Sequence, residues 1–255
     1  MGSKMSVKTR RIVIGEGTPK ICVPIVAKDN EDAYIQAQNI IKYEPDIIEF
    51  RADYFVEWKN ENEMLHTLNS IREVIGDTVL LFTFRTDNEG GNAHIEAADY
   101  IELCKYVCES GLIDLIDVEA FYGDNIFEKV IEIAHNNDIY VVASNHDFDK
   151  TPDSDEILRR LAYMDEKGAD ILKIAVMPEN RVDVLTLMTS VVKYTDENDK
   201  PVIAMSMGGQ GLVSRFAGEL FGSAVTFASV GRASAPGQIP IDEVRKVLGI
   251  IHAYG

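Results

Sequence analysis

The chain holds only three cysteines in 255 residues. An odd and small number does not build a disulfide framework. Cys22 falls in a predicted strand. Cys104 and Cys108 fall one helical turn apart with no histidine or further cysteine beside them, so they do not read as a zinc site. All three read as buried thiols of a cytoplasmic protein. Long apolar runs are missing too: nothing approaches the ~18 residues of a membrane span. The first eleven residues, MGSKMSVKTRR, are basic but lack the apolar stretch of a signal peptide. Positive charge is scarce, with 25 Lys and Arg against 42 Asp and Glu and a formal net charge of −17. Such a surface disfavours nucleic acid and anionic membranes. An anionic small molecule would need a local cluster of arginines.

Common catalytic signatures are absent as well. There is no G-x-S-x-G and no Walker sequence. Of the five histidines, His66, His94, His135 and His252 fall on predicted helices or their edges and read as surface or packing residues. His146 stands alone at a strand end, so no metal site is expected.

What is present is a repeating rhythm. The composition is 46% hydrophobic and 26% charged, ordinary for a globular chain with a large core. Short β-rich apolar runs alternate with amphipathic segments. Strands are predicted at 20–27, 46–55, 78–86, 112–120, 139–147, 170–177, 201–207 and 224–230. Helices are predicted between and after them: from a cap at Asp29 or Asn30 to 43, then 61–75, 93–110, 124–136, 151–167, 181–195, 214–221 and 241–254. Thr151-Pro152 reads as the cap and first position of the fifth of these. Strands buried on both faces and alternating with helices signal a parallel sheet. Roughly eight units in ~250 residues point to a (β/α)8 TIM barrel, with a doubly wound open sheet as the alternative. The chain reads as a single domain over 1–255. Residues 1–19 form an N-terminal extension, a strand or hairpin covering the bottom face, and 20–255 form the barrel.

In a strand, alternate residues share one face. That rule places Glu49, Arg51 and Asp53 together, Thr83 with Arg85, Asp117 with Glu119, His146 with Ser144, and Lys173 with Ile171 and Ala175. Met205 pairs with Met207, and Phe227 with Ser229. The polar members lie at the C-terminal ends of strands, which a barrel gathers around one mouth. Internal ion pairs closing the barrel are the plainer reading of these residues. Two features weigh against it: a lysine and a histidine are among them, and buried charges are costly to accumulate without use.

Lys173 sits in the apolar run DILKIAVMPE, 170–179. Burial favours the neutral amine, and a neutral amine is a nucleophile. An inward lysine, a histidine and several arginines suggest imine chemistry. Lys173 would attack a ketone, and the resulting iminium would acidify the adjacent C–H. His146 suits proton transfer, and Glu89 can orient it. Arg51, Arg85 and Arg215 can hold a carboxylate, and their charge would favour the neutral lysine. GGQG, 208–211, could cradle a phosphate, which would suit an aldolase-type Schiff-base barrel acting on a sugar phosphate. A barrel that merely binds an anionic metabolite is a third reading. Lys173, His146 and Glu89 together count against it.

EFRAD (49–53), LLFTFR with EGG (80–91), SNHDF (144–148), KIAVMP (173–178), MSM (205–207), SR (214–215) and SAPGQ (234–238) resemble, in order and over nearly the whole chain, type I 3-dehydroquinate dehydratase. The resemblance implies a (β/α)8 barrel, a homodimer, and no metal or organic cofactor. It implies loss of water from 3-dehydroquinate to give 3-dehydroshikimate, the third step of the shikimate pathway. It implies Lys173 as the Schiff-base lysine, His146 as general base and acid, and Glu89 as its partner. Arg215 would bind the substrate carboxylate, and Glu49, Arg51 and Arg85 its hydroxyls. Ser234 and Gln238 would close as a lid, and Met205 and Phe227 would supply apolar walls. Two positions depart from the pattern. Pro24 stands where relatives carry a small polar residue, and GGQG stands where some carry a lysine or glutamate.

Overall fold

The computed structural model describes residues 5–123, 125–231 and 237–255. It begins with a short antiparallel hairpin, β1 (Val7–Thr9) and β2 (Ile12–Ile14). The parallel strands and their helices follow. They are β3 (Lys20–Ile25), α1 (Asn30–Ile40), β4 (Ile47–Arg51), α2 (Glu61–Ile75), β5 (Val79–Thr83) and α3 (Ala97–Glu109). Next come β6 (Leu115–Glu119), α4 (Ile126–Asn136), β7 (Tyr140–Asp147), α5 (Ser154–Glu166), β8 (Ile171–Val176) and α6 (Arg181–Glu197). The last are β9 (Val202–Ser206), α7 (Leu212–Phe216), α8 (Gly218–Phe221), β10 (Val225–Ser229), β11 (Ile239–Pro240) and α9 (Ile241–Tyr254).

Strands β3 to β9 pair in chain order, all parallel, and β10 returns to pair with β3. The remaining seam, between β9 and β10, is joined at its base, where the Ala224 N–H donates to the Val202 carbonyl at 2.7 Å. The sheet therefore curls into a (β/α)8 barrel rather than lying open.

Period-2 alternation sorts the apolar side chains into two cores. Outward residues of the strands, such as Leu172, Ile174 and Val176, pack under the helices. Inward residues, among them Cys22, Ile47, Val79, Leu115, Val142 and Ile171, fill the barrel. Val7, Ile12 and Ile14 of the hairpin join that inner core, so the N-terminal segment plugs the bottom as expected. Arg10 holds it there, donating to Asp114 at 2.6 Å.

Several element ends differ from the sequence reading. Strand β4 stops at Arg51 because residues 52–54 make a tight turn that folds Asp53 back onto Arg51. Helix α5 starts at Ser154, capped by Asp153, whose carboxylate accepts the Glu156 N–H at 2.9 Å. Thr151 instead donates to the Met177 carbonyl at 3.0 Å, tying the β7 loop to the β8 loop. The helix expected over 214–221 is split into α7 and α8 at Ala217. No helix among the described residues is long and apolar enough to cross a membrane.

Candidate active site

The upper end of the barrel interior is polar. Glu49 and Arg51 from β4, Asp117 and Glu119 from β6, Ser144 and His146 from β7, and Lys173 from β8 share the inward parity. Arg85 follows the end of β5. Glu49, Arg51, Arg85, Glu89, Lys173 and Arg215 are each no more than 8% exposed.

Glu89 reaches the site from a single 3-10 turn, 87–89, after β5. The glycines that follow let the loop fold down tightly. Gly90 adopts φ 78°, and a Cβ on Gly91 would lie 1.9 Å from the Arg85 carbonyl oxygen. The turn is held by the Gly91 N–H donating to the Thr86 carbonyl at 2.8 Å. Glu89 Oε2 then accepts both from the His146 backbone N–H at 2.9 Å and from the imidazole Nδ1 at 2.8 Å. With Nδ1 engaged, Nε2 is the nitrogen left for chemistry.

Asp117 sits at the centre of the charges. It accepts from Arg85 Nη2 at 2.6 Å, from Ser144 Oγ at 2.6 Å and from Lys173 Nζ at 2.9 Å. Burial opposes its charge, but Arg85 and Lys173 outweigh burial and hold the carboxyl well below the usual range. Arg85 also donates to Glu119 at 3.1 Å and lies 3.6 Å from Glu89. Burial alone would lower the Arg85 guanidinium; Asp117, Glu119 and Glu89 together hold it up. Arg51 grips Asp53 with two bonds of 2.8 Å. Lys173 Nζ lies over the Phe227 ring, 4.8 Å from its centre.

Glu89 and His146 are displaced in opposite directions. Burial, reinforced by Glu119, pushes Glu89 up to about 8 against the pull of Arg85 and the Asn145 hydrogen bond. Burial, with Arg85 and Lys173 behind it, pushes His146 well down despite Asp117. Burial lowers the guanidinium of Arg215, on α7.

One cavity of about 270 Å³ is lined by Glu49, Arg51, Arg85, Glu89, His146, Lys173, Met205, Arg215, Phe227 and Gln238. These are the residues singled out in the sequence except Ser234, which lies outside the described residues. Tyr54, Phe148 and Met207 also line it and had been given no role there. Asp117 and Glu119 had been placed facing inward, but their pairing with Lys173 and Arg85 had not been foreseen. Pro24 is buried on β3 opposite Glu49, and its ring offers no donor. In GGQG, a Cβ on Gly211 would lie 2.0 Å from the Ser206 carbonyl oxygen. Close packing onto β9 thus accounts for that glycine without a phosphate. Among the described residues, no three His, Cys, Asp or Glu side chains are arranged to hold a metal ion.

Residues 21–254 match the family model described as Type I 3-dehydroquinase. The 3-dehydroquinate dehydratase of Clostridioides difficile (strain 630) is 46% identical over 250 residues, 98% of each chain. A crystal structure of the type I 3-dehydroquinate dehydratase from Clostridium difficile, described as carrying covalently modified comenic acid, superposes with a TM-score of 0.95. It is 45% identical over 98% of this chain and 99% of that one. The 3-dehydroquinate dehydratase of Geobacillus kaustophilus HTA426 superposes with a TM-score of 0.97, at 40% identity, over 99% of this chain and 98% of that one. With the family model covering nearly the whole chain and relatives this similar along their full length, the protein belongs to the type I 3-dehydroquinase family.

Proposed function

We propose that the protein dehydrates 3-dehydroquinate to 3-dehydroshikimate through an imine on Lys173, as the third step of the shikimate pathway in the cytoplasm. The observation that carries this reading is the convergence of Lys173, the His146–Glu89 pair and three arginines on one cavity. The Lys173 amine adds to the substrate ketone, and loss of water leaves an iminium. That cation acidifies the neighbouring C2–H, because the electron pair released flows into the iminium. His146 Nε2 takes the proton, then returns it to the C1 hydroxyl as that group leaves. Water then hydrolyses the iminium, with His146 again moving protons, and frees product and lysine. Covalent modification in the Clostridium difficile structure fits a site that forms bonds to its ligands.

The remaining roles follow from placement. Arg215 is a buried guanidinium lining the cavity, and a guanidinium can grip a carboxylate with two parallel hydrogen bonds; it takes the substrate carboxylate. Glu49, Arg51 and Arg85 meet the hydroxyls, each already fixed by a neighbour: Thr83 donates to Glu49 at 2.9 Å, while Asp53 and Asp117 hold the arginines. Met205, Phe227 and Gln238 wall the ring. The reaction calls for no metal or organic cofactor.

The direct test is an assay with 3-dehydroquinate, following the absorbance of the conjugated enone; no product would reject the reading. Arg215→Ala is expected to raise KM by about 10²-fold, the order lost with a charge-assisted pair of ~3 kcal/mol, and to change kcat less. An unchanged KM would remove Arg215 from carboxylate binding. A homodimer is proposed as well. Val182 and Leu185 on α6 and Leu220 on α8 are more than 60% exposed on elements that pack together. Sedimentation equilibrium is expected to give twice the chain mass, and a monomer at micromolar concentration would rule this out.

A further inference from the structure

Behind the His146–Glu89 pair, a chain of hydrogen bonds runs out to α5. Glu89 has two oxygens, and only Oε2 is engaged by His146. Oε1 accepts from Asn145 Nδ2 at 3.1 Å. Asn145 lies on the opposite parity of β7 from Ser144 and His146, so Glu89 grips both sides of the strand end. The Asn145 oxygen in turn accepts from Arg160 Nη1 at 2.8 Å. Arg160 is itself anchored within α5 by Glu156, which accepts from its Nε at 2.8 Å, and lies 3.5 Å from Asp147.

The chemistry of the donors gives this chain a direction. A guanidinium can only donate, so it compels the Asn145 oxygen to face α5 and the amide N–H to face Glu89. An N–H aimed at Oε1 demands an acceptor there. The exchangeable proton of the pair is then confined to the line between Oε2 and the imidazole Nδ1. Without Arg160 the amide can turn over. It would then present its oxygen to Glu89 and favour a protonated carboxyl, which no longer orients the imidazole as a base. We propose that Arg160 and Asn145 are positioning residues for the acid–base pair: Arg160 fixes the Asn145 amide, and the amide fixes which oxygen of Glu89 serves His146.

A second cavity opens on this side of the pair, lined by Glu89, Asn145, His146, Asp147, Glu156 and Arg160. Water can enter it, so removing the guanidinium leaves a solvated gap rather than a buried orphan. Substitution at Arg160 is therefore compatible with folding. The other charged groups facing the pair come from β4 (Arg51), the loop after β5 (Arg85), β6 (Asp117 and Glu119) and β8 (Lys173), whereas Arg160 donates to Glu156, Asn145 and Asp147.

This inference rests on His146 and Glu89 serving as the acid–base pair, and the test separates the two. Arg160→Met is expected to lower kcat about 10-fold, a part of the ~10²–10⁴ that a general base contributes, with KM little changed. The acidic limb of kcat should move to higher pH. Arg160→Lys, which retains a donor, should recover most of the rate, and Asn145→Leu should reproduce the loss. Borohydride trapping of substrate on Lys173 should be as complete as in the unsubstituted protein. Wild-type rate and limb in Arg160→Met would overturn the proposal. So would a loss of rate with the limb unmoved and no recovery in Arg160→Lys, which would make Arg160 a staple between α5 and β7. Failure of the unsubstituted protein to dehydrate 3-dehydroquinate would instead sink the functional reading.

Discussion

Replacing Lys173 with alanine is expected to cut the turnover of 3-dehydroquinate by on the order of 10⁴-fold or more, the scale seen when the nucleophile is removed from a site acting as a unit. In the proposed mechanism the iminium is what makes the C2 proton removable, so neither His146 nor the arginines can substitute for the amine. The fold should tolerate the change. Lys173 leaves behind Asp117, which keeps Arg85 and Ser144 as donors at 2.6 Å each. The loss therefore falls short of the ~3–5 kcal/mol of a buried charge left wholly unpaired. Borohydride added with substrate should label the unsubstituted protein at one site, and peptide mapping should find it at Lys173. An adduct mapped elsewhere, or turnover within tenfold of normal in Lys173→Ala, would end the assignment. The ion pair with Asp117 shows that the plainer reading of a buried lysine, a salt bridge, holds alongside the catalytic one. Lys173 Nζ donates to the Asp117 carboxylate at 2.9 Å, so attack on a ketone must break that hydrogen bond. Asp117 offers little help in taking a proton from the amine, because Arg85 and Lys173 hold it ionised well below the usual carboxylate range.

The barrel and the ring of inward residues were legible because they rest on two short-range rules. Alternation assigns each strand residue to a face, and a parallel sheet puts all C-terminal ends on one side. Internal ion pairs were legible as a possibility, but their partners were not, because they cross between strands that the sequence does not align. Lys173 on β8 meets Asp117 on β6, with β7 between them. That contact depends on the registers Asp117↔Val142 and Val142↔Ile171, fixed only on folding. Arg85 was read as an arm for substrate, yet two carboxylates already hold it. Asp53 shares strand parity with Arg51, but the turn at 52–54 brings the two into a bidentate pair. Arg160 carried no signal, and Asn145 almost none. An outward asparagine and a surface-helix arginine look like solvated residues until α5 packs onto β7. The one trace of Asn145 was SNHDF itself, where a polar residue occupies the outward position beside His146.

His146→Ala is expected to lower kcat by about 10²–10⁴-fold, the range for a positioned general base, while still allowing slow formation of the borohydride-trappable adduct. The separation of the two effects is the informative part. Lys173 keeps its nucleophile, so the covalent intermediate accumulates, but the C2 proton has no acceptor. Near-normal turnover in this variant would remove His146 from the mechanism. The pH dependence carries the same logic. Glu89 is raised and His146 lowered, so the pair titrates as a unit rather than as two independent groups. In acid the Glu89 carboxyl is protonated and cannot accept from Nδ1. As pH rises through the raised Glu89 titration, at about 8, the carboxylate forms, Nδ1–H donates to it, and Nε2 carries the free electron pair. The rate of the free enzyme should therefore climb with pH over that interval. Glu89→Gln keeps the size of the side chain and removes its titration, so it should flatten the acidic limb and lower the plateau. An acidic limb that survives unchanged in Glu89→Gln would assign that titration to another group, and the orienting role of Glu89 would fall with it.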